Sequence, residues 1–239
     1  MGKRWAETLT KPKAVEGYRV RLTGWQSMHT IQQTVDEVPQ MKMFRHLAVV
    51  AVLALGAAGV SAQDYDRGVE AFKAGNFSTA FEQVIPLAEK GDSRAQHFIG
   101  VLYQLGKGVT QSDTEAIRWY RMAADQGYAD AQENLGRKYE DGRGVPQDYV
   151  EAFKWYRLAA TQSLASSQFL LGVMYQEGRG VLQDNLKAHM WYNIASANGF
   201  KGVSQWRDEI AKKMSNEAVE KAQAMASECV NSGYANCGE

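Results

Sequence analysis

A basic residue set between two glycines occurs three times in this chain, as Gly106-Lys107-Gly108, Gly142-Arg143-Gly144 and Gly178-Arg179-Gly180. Such a group has the parts of an anion cradle, because open backbone N–H groups and a cation can face one phosphate or carboxylate. Carboxylates stand close by at Glu140, Asp141 and Glu177, where they pair on paper for acid–base work. Beyond residue 62 the histidines are His97 and His189, and the cysteines are Cys229 and Cys237. No H-E-x-x-H, C-x-x-C, G-x-S-x-G or metal-spaced Cys/His cluster accompanies them. The G-x-G groups also lack the strand and spacing of a phosphate loop. The sequence therefore predicts no catalytic residue, no cofactor and no metal site, and the carboxylates read as solvated helix ends. The basic triplets read as turns of a scaffold.

The scaffold is visible in what surrounds them. Ile99-Gly100, Leu135-Gly136 and Leu171-Gly172 stand 36 residues apart and open an [I/L]-G-x-x-Y-x-x-G-[K/R]-G-V block. An A-x-x-W-Y block follows each, at Ala116/Trp119/Tyr120, Ala152/Trp155/Tyr156 and Ala188/Trp191/Tyr192. A fixed period of this length marks a stacked array of helix pairs. Ala131, Leu135 and Tyr139 lie four apart on one helical face, and Gly136 beside them admits a neighbouring helix. Gly142 and Gly144 supply a left-handed cap and the reversal after it. Asp148 followed by Glu151 is a capping-box pattern, as is Ser112 with Glu115; Lys187 after Asp184 predicts loss of the reciprocal bond. Trp155 and Tyr156, set between small Ala152 and Ala159/Ala160, read as core rather than as a ligand platform.

The full pattern, A-x-x-x-L-G-x-x-Y-x-x-G-x-G-V-x-x-D-x-x-x-A-x-x-W-Y-x-x-A-A-x-x-G, resembles the Sel1-like repeat, a relative of the tetratricopeptide repeat. Ala131, Leu135, Gly136, Tyr139, Gly142, Gly144, Val145, Asp148, Ala152, Trp155, Tyr156, Ala159 and Ala160 fill it. Ser163 stands where the flanking copies have Gly127 and Gly199. The resemblance spans residues 93–199, as copies 93–128, 129–164 and 165–199. It implies an all-α, right-handed α-solenoid of stacked antiparallel helix pairs. Residues 63–92 read as an N-terminal tetratricopeptide-like pair, its second helix kinked at Pro86. Residues 200–239 read as capping helices. The family includes cysteine-rich exported members reported to bind or weakly hydrolyse β-lactams. Their cysteine pairs within each repeat are missing here, so cell-wall ligand binding or weak hydrolysis stands as the alternative function.

Equal numbers of acids and bases give zero net charge, so no global field draws the chain to nucleic acid. Residues 41–62 have the form of a signal peptide: Lys42 and Arg45, an apolar run from Leu47 to Val60, then small residues before Gln63. The run is short for a membrane span of about 20 residues. Cleavage is expected between Ala62 and Gln63, giving a periplasmic or secreted protein that meets the membrane only through this peptide. Residues 1–40 then read as an irregular upstream extension, with translation starting at Met41 or Met43; if they are translated, the run acts as an uncleaved anchor. In an oxidising compartment Cys229 and Cys237 are expected to form a disulfide that ties down the C-terminal tail.

A binding function is expected on the concave face, which the first helix of each pair lines in such arrays. Positions there that fail to repeat are free to suit a protein or peptide partner. The sets are Arg94/Asp130/Ser166, His97/Glu133/Phe169, Val101/Arg137/Val173 and Gln104/Glu140/Gln176. His97, Val101, Gln104, Glu133, Arg137, Phe169 and Val173 are the candidate contacts. Arg137 suits a carboxylate, and Phe169 with Val173 suits an apolar side chain unless an adjacent helix covers them.

Overall fold

A computed structural model describes residues 63–237. The upstream extension, the signal segment and Ala62 lie outside the described residues. Among these residues there are ten α-helices and no strand. Helix α1 covers 63–73, α2 Phe77–Glu89, α3 Ser93–Leu105, α4 Asp113–Ala124 and α5 Ala129–Asp141. Then follow α6 Tyr149–Ala160, α7 Ala165–Glu177, α8 Asn185–Ala197, α9 Val203–Ala211 and α10 Asn216–Asn231. The pairs α3/α4, α5/α6 and α7/α8 each hold one sequence copy, and α4 packs on α5 and α6 on α7 to stack them. This is the expected solenoid of helix pairs.

What closes each pair is the glycine of the L-G block. A Cβ at Gly136 would lie 2.7 Å from the Tyr156 ring. The same clash would meet Tyr120 at Gly100 (2.6 Å) and Tyr192 at Gly172 (2.4 Å). The missing side chain is thus filled by the tyrosine of W-Y on the partner helix, and Tyr120, Tyr156 and Tyr192 are all fully buried. Their hydroxyls still need partners. They donate to Gln104 Oε1 (3.0 Å), Glu140 Oε2 (2.6 Å) and Gln176 Oε1 (2.8 Å).

The turn glycines divide the work as expected. Gly142 ends α5 in the left-handed region at φ 66°. Gly144, at φ 80°, has a second duty: a Cβ there would lie 2.8 Å from Asp113 Cβ, at the start of the preceding pair's second helix. It sets the spacing between copies. The second helices then begin on side-chain caps, with Ser112, Asp148 and Asp184 accepting backbone N–H bonds. The reciprocal half of the capping box is made in none of them. The N–H groups of Ser112, Asp148 and Asp184 donate instead to Tyr103, Tyr139 and Tyr175 O on the first helix. That leaves Glu115 to pair with Arg118 and Glu151 with Lys154, and makes Lys187 no loss. Pro86 lies inside its helix, which runs on to Glu89.

The C-terminal cap is less regular. Helix α9 packs on α8 in the manner of a following first helix, but α10 also packs on α8. Residues Ala226 and Cys229 join Met190, Trp191 and Ile194 in one buried cluster. The expected Cys229–Cys237 disulfide closes the tail. It holds Tyr234, whose hydroxyl meets Ser163 Oγ (3.1 Å), Gln168 Nε2 (3.2 Å) and Asn198 Nδ2 (2.9 Å). Ser163 keeps the left-handed backbone of the glycines it replaces, at φ 66°.

Candidate functional site

The first-helix face is built from α3, α5 and α7. Its variable position His97/Glu133/Phe169 does not project freely into solvent. His97 is half-buried between the rings of Tyr120 (5.7 Å) and Tyr128 (5.2 Å), with Nε2 2.9 Å from Asn134 Nδ2 on α5. Phe169 occupies the same socket two copies later, between Tyr192 (5.7 Å), Phe200 (4.7 Å, stacked) and Trp206 (5.5 Å). Glu133 fills the middle socket with polar walls: Ser166 and Ser167 donate to it from α7, and Arg137 from its own helix. Each residue is a plug seated partly by the next copy, and its chemistry matches its walls.

For Phe169 and Val173 the covered alternative holds. Both are half-buried against the cluster that holds Val203 and Ile210 of α9, and Phe169 also meets the rings of Phe200 and of Trp206 on α9. Val101 is likewise half-buried. Gln104 is held as the acceptor for Tyr120. Of the seven candidates only Arg137 is exposed. Its Nε and one terminal nitrogen both donate to Glu133 Oε1, so the guanidinium is held in place.

Burial acts on the titratable groups of this face. It lowers the pKa of His97, against a smaller upward pull from Asp130. His189, buried on α8, is lowered by burial and by Arg207, with Asp208 opposing; its Nδ1 lies 2.9 Å from Asn193 Nδ2. In both imidazoles burial therefore favours the neutral form, and both rings are held by packing and an amide contact. Among the described residues no group of His, Cys, Asp and Glu is arranged to hold a metal ion.

The basic triplets point at protein, not at a shared anion site. Lys107 lies over the Phe77 ring at 4.5 Å, Arg143 is 3.5 Å from Asp113, and Arg179 lies over the Tyr149 ring at 5.7 Å. Phe77, Asp113 and Tyr149 are the first residues of three successive second helices. Each cation reaches back one copy. Arg179 also pairs with Glu140 (3.3 Å) and Glu177 (2.6 Å).

Two features escaped the sequence. The first is a ladder of buried glutamines, Gln96, Gln132 and Gln168. Their Nε2 groups donate to Ala88, Ala124 and Ala160 O at the end of the preceding second helix. Their Oε1 atoms accept from Gln126, Gln162 and Asn198. The signal was available, since a polar residue that repeats at every period is not a free surface position. The second is Lys138, buried where the flanking copies have Leu102 and Met174. Its Nζ lies 2.6 Å from Asp113, whose carboxyl it holds below the usual carboxylate range.

With this geometry in view, the chain can be set against known proteins. A family model described as Sel1 repeat matches residues 93–128, 129–164 and 165–200. A Sel1 repeat protein from Oxalobacter formigenes is 31% identical, with a TM-score of 0.60, covering 70% of this chain and 73% of that one. A protective antigen present in uropathogenic Escherichia coli strains, which displays an SLR fold, is 25% identical with a TM-score of 0.52. That match covers 75% of this chain but 48% of the antigen, so the chain spans about half its length. No curated protein matches.

Proposed function

The chain belongs to the Sel1 repeat family, and we propose that it serves as an exported, non-enzymatic scaffold that binds a protein or peptide through its first-helix face. The observation that carries this is Arg137. It is the exposed member of a row whose other members, Val101 and Val173, are half-buried one copy before and after. Its guanidinium is fixed on Glu133, and Glu133 is in turn fixed by Ser166 and Ser167. A pre-positioned, exposed cation suits a carboxylate of the partner, and little side-chain entropy is left to lose on binding.

Export is supported by the signal-like segment 41–62 and by the disulfide. Among the described residues no helix is long and apolar enough to cross a membrane. N-terminal sequencing of the native protein is expected to begin at Gln63; a start elsewhere refutes cleavage after Ala62. For the binding face, affinity capture from the native cell envelope is run with the natural chain and with Arg137→Glu. A protein recovered by the first and lost by the second, with an unchanged circular dichroism spectrum, supports the face. Equal recovery rejects it.

A further inference from the structure

The second helices carry an outer stripe that the array itself does not use. On α6 it is Val150, Lys154 and Leu158, spaced four apart and so aligned along one side of the helix. Val150 and Leu158 are 50% and 48% exposed. On α8 the same register holds Leu186, Met190 and Ile194, and Ile194 is 1% exposed. The difference is α10. It lies against α8 and brings Ala226 and Cys229 into the cluster with Met190 and Ile194. The chain thus already seats one helix on this side of a second helix. One copy earlier the stripe keeps its apolar ends, exchanges the central methionine for lysine, and lies open.

We propose that the Val150–Lys154–Leu158 stripe of α6 docks an amphipathic helix of a partner protein, one with apolar residues at both ends of its contact and a carboxylate between them. The docking mode is that of α10 on α8, whose small and apolar residues meet an all-apolar stripe. The carboxylate follows from Lys154. Covering that ammonium with an apolar helix would strip its water and leave it only the intrahelical pair with Glu151, whereas a carboxylate on the docked helix supplies a second partner in place of that water. A second copy of this chain presenting the same stripe would oppose lysine to lysine. This side is separate from the face that carries Arg137, so the two proposals fail independently.

The test uses the full chain, whose α8 stripe is already covered by its own α10. The probe is a fluorescent peptide of residues 216–231 carrying Cys229→Ala and Ala226→Glu, which places a carboxylate within the apolar side of the α10 sequence. Anisotropy titration is expected to show saturable binding, weakened about tenfold or more by Leu158→Glu and by Lys154→Glu in the protein. The peptide that keeps Ala226 should bind at least about tenfold more weakly, and Arg137→Glu should change nothing. Salt should weaken the Ala226→Glu peptide more than its parent. No saturable binding up to about 1 mM peptide, or equal binding to Leu158→Glu, overturns the proposal. So does a concentration-dependent dimer that Leu158→Glu abolishes, because the stripe then belongs to a second copy.

Discussion

Replacing Lys138 with methionine tests whether adjacent copies solve one packing problem in two chemistries. At this place Lys138 pairs with Asp113 at the start of the preceding second helix, and the 36-residue register puts Leu102 and Phe77 at the same two positions one copy earlier and Met174 and Tyr149 one copy later. Lys138→Met therefore gives a side chain that already fits one copy later, but leaves Asp113 without its closest cation. Removing one partner of a fully buried pair costs about 3–5 kcal/mol. The Asp113 side chain is 26% exposed and keeps Arg143 at 3.5 Å, so about 2 kcal/mol is expected here. For a domain of this size that lowers Tm by roughly 4–8 °C. The double variant Lys138→Met/Asp113→Tyr recreates the Met174/Tyr149 pair and should return Tm to the starting value or above it. The pH dependence carries a further check. Asp113 is held low chiefly by its hydrogen bond from Lys138, so this stabilisation is present above the unfolded carboxylate value, near pH 4, and is lost as pH falls through the lower folded value. The gap between the natural chain and Lys138→Met should narrow over that interval. Thermal melts of the natural chain, the single variants Lys138→Met and Asp113→Tyr, and the double variant decide the matter. Two neutral single variants, or a double variant less stable than both, would refute the reasoning.

Three further outcomes follow from the same structure. Gly136→Ala should destabilise by about 1–3 kcal/mol, despite better helix propensity, because its methyl group meets the Tyr156 ring; urea unfolding that shows a gain would contradict the close approach. Tyr234→Phe should cost about 1 kcal/mol, and Cys229→Ser/Cys237→Ser about 2–3 kcal/mol by loop entropy, both read as lower Tm. Burial lowers the pKa of His97 and His189, so the neutral folded form is favoured. The stability this gives is whole above the unfolded value of about 6.5 and falls as pH drops from there through the folded values. The urea midpoint should thus be lower at about pH 5 than at about pH 7.5, and less so in His189→Gln; pH-independent midpoints would rule out a neutral buried imidazole.

The helix pairs were legible because their determinants recur every 36 residues: glycine at 136, tyrosine at 156, the turn glycines at 142 and 144. Their partners across the pair were not, since a tyrosine filling a glycine's gap is a three-dimensional relation between two separately readable motifs. The packing of the first-helix positions was less legible for a related reason. His97, Glu133 and Phe169 differ in type, and difference looks like freedom from packing. In fact the socket walls vary along with them, as Tyr128 and Asn134, then Ser166 and Ser167, then Phe200 and Trp206. Variation matched on both sides of a contact is invisible when each position is compared only with its own counterparts. The seat of α10 was readable in part. Met190 and Ile194 stand where Lys154 and Leu158 stood, a second apolar side on a helix that already had one.

Because every plug is received partly by its successor, the three copies have a fixed order. A chain lacking residues 129–164 would lose one whole period and keep every turn glycine and W-Y pair in register. Its His97, however, would face Leu170 in place of Asn134, with no amide to meet its ring nitrogen. Exchanging the second and third copies would likewise bring Glu133 up to the aromatic wall of Phe200 and Trp206. Deletion, duplication and shuffling of these units are thus constrained at their seams, even though each unit taken alone looks interchangeable with the next.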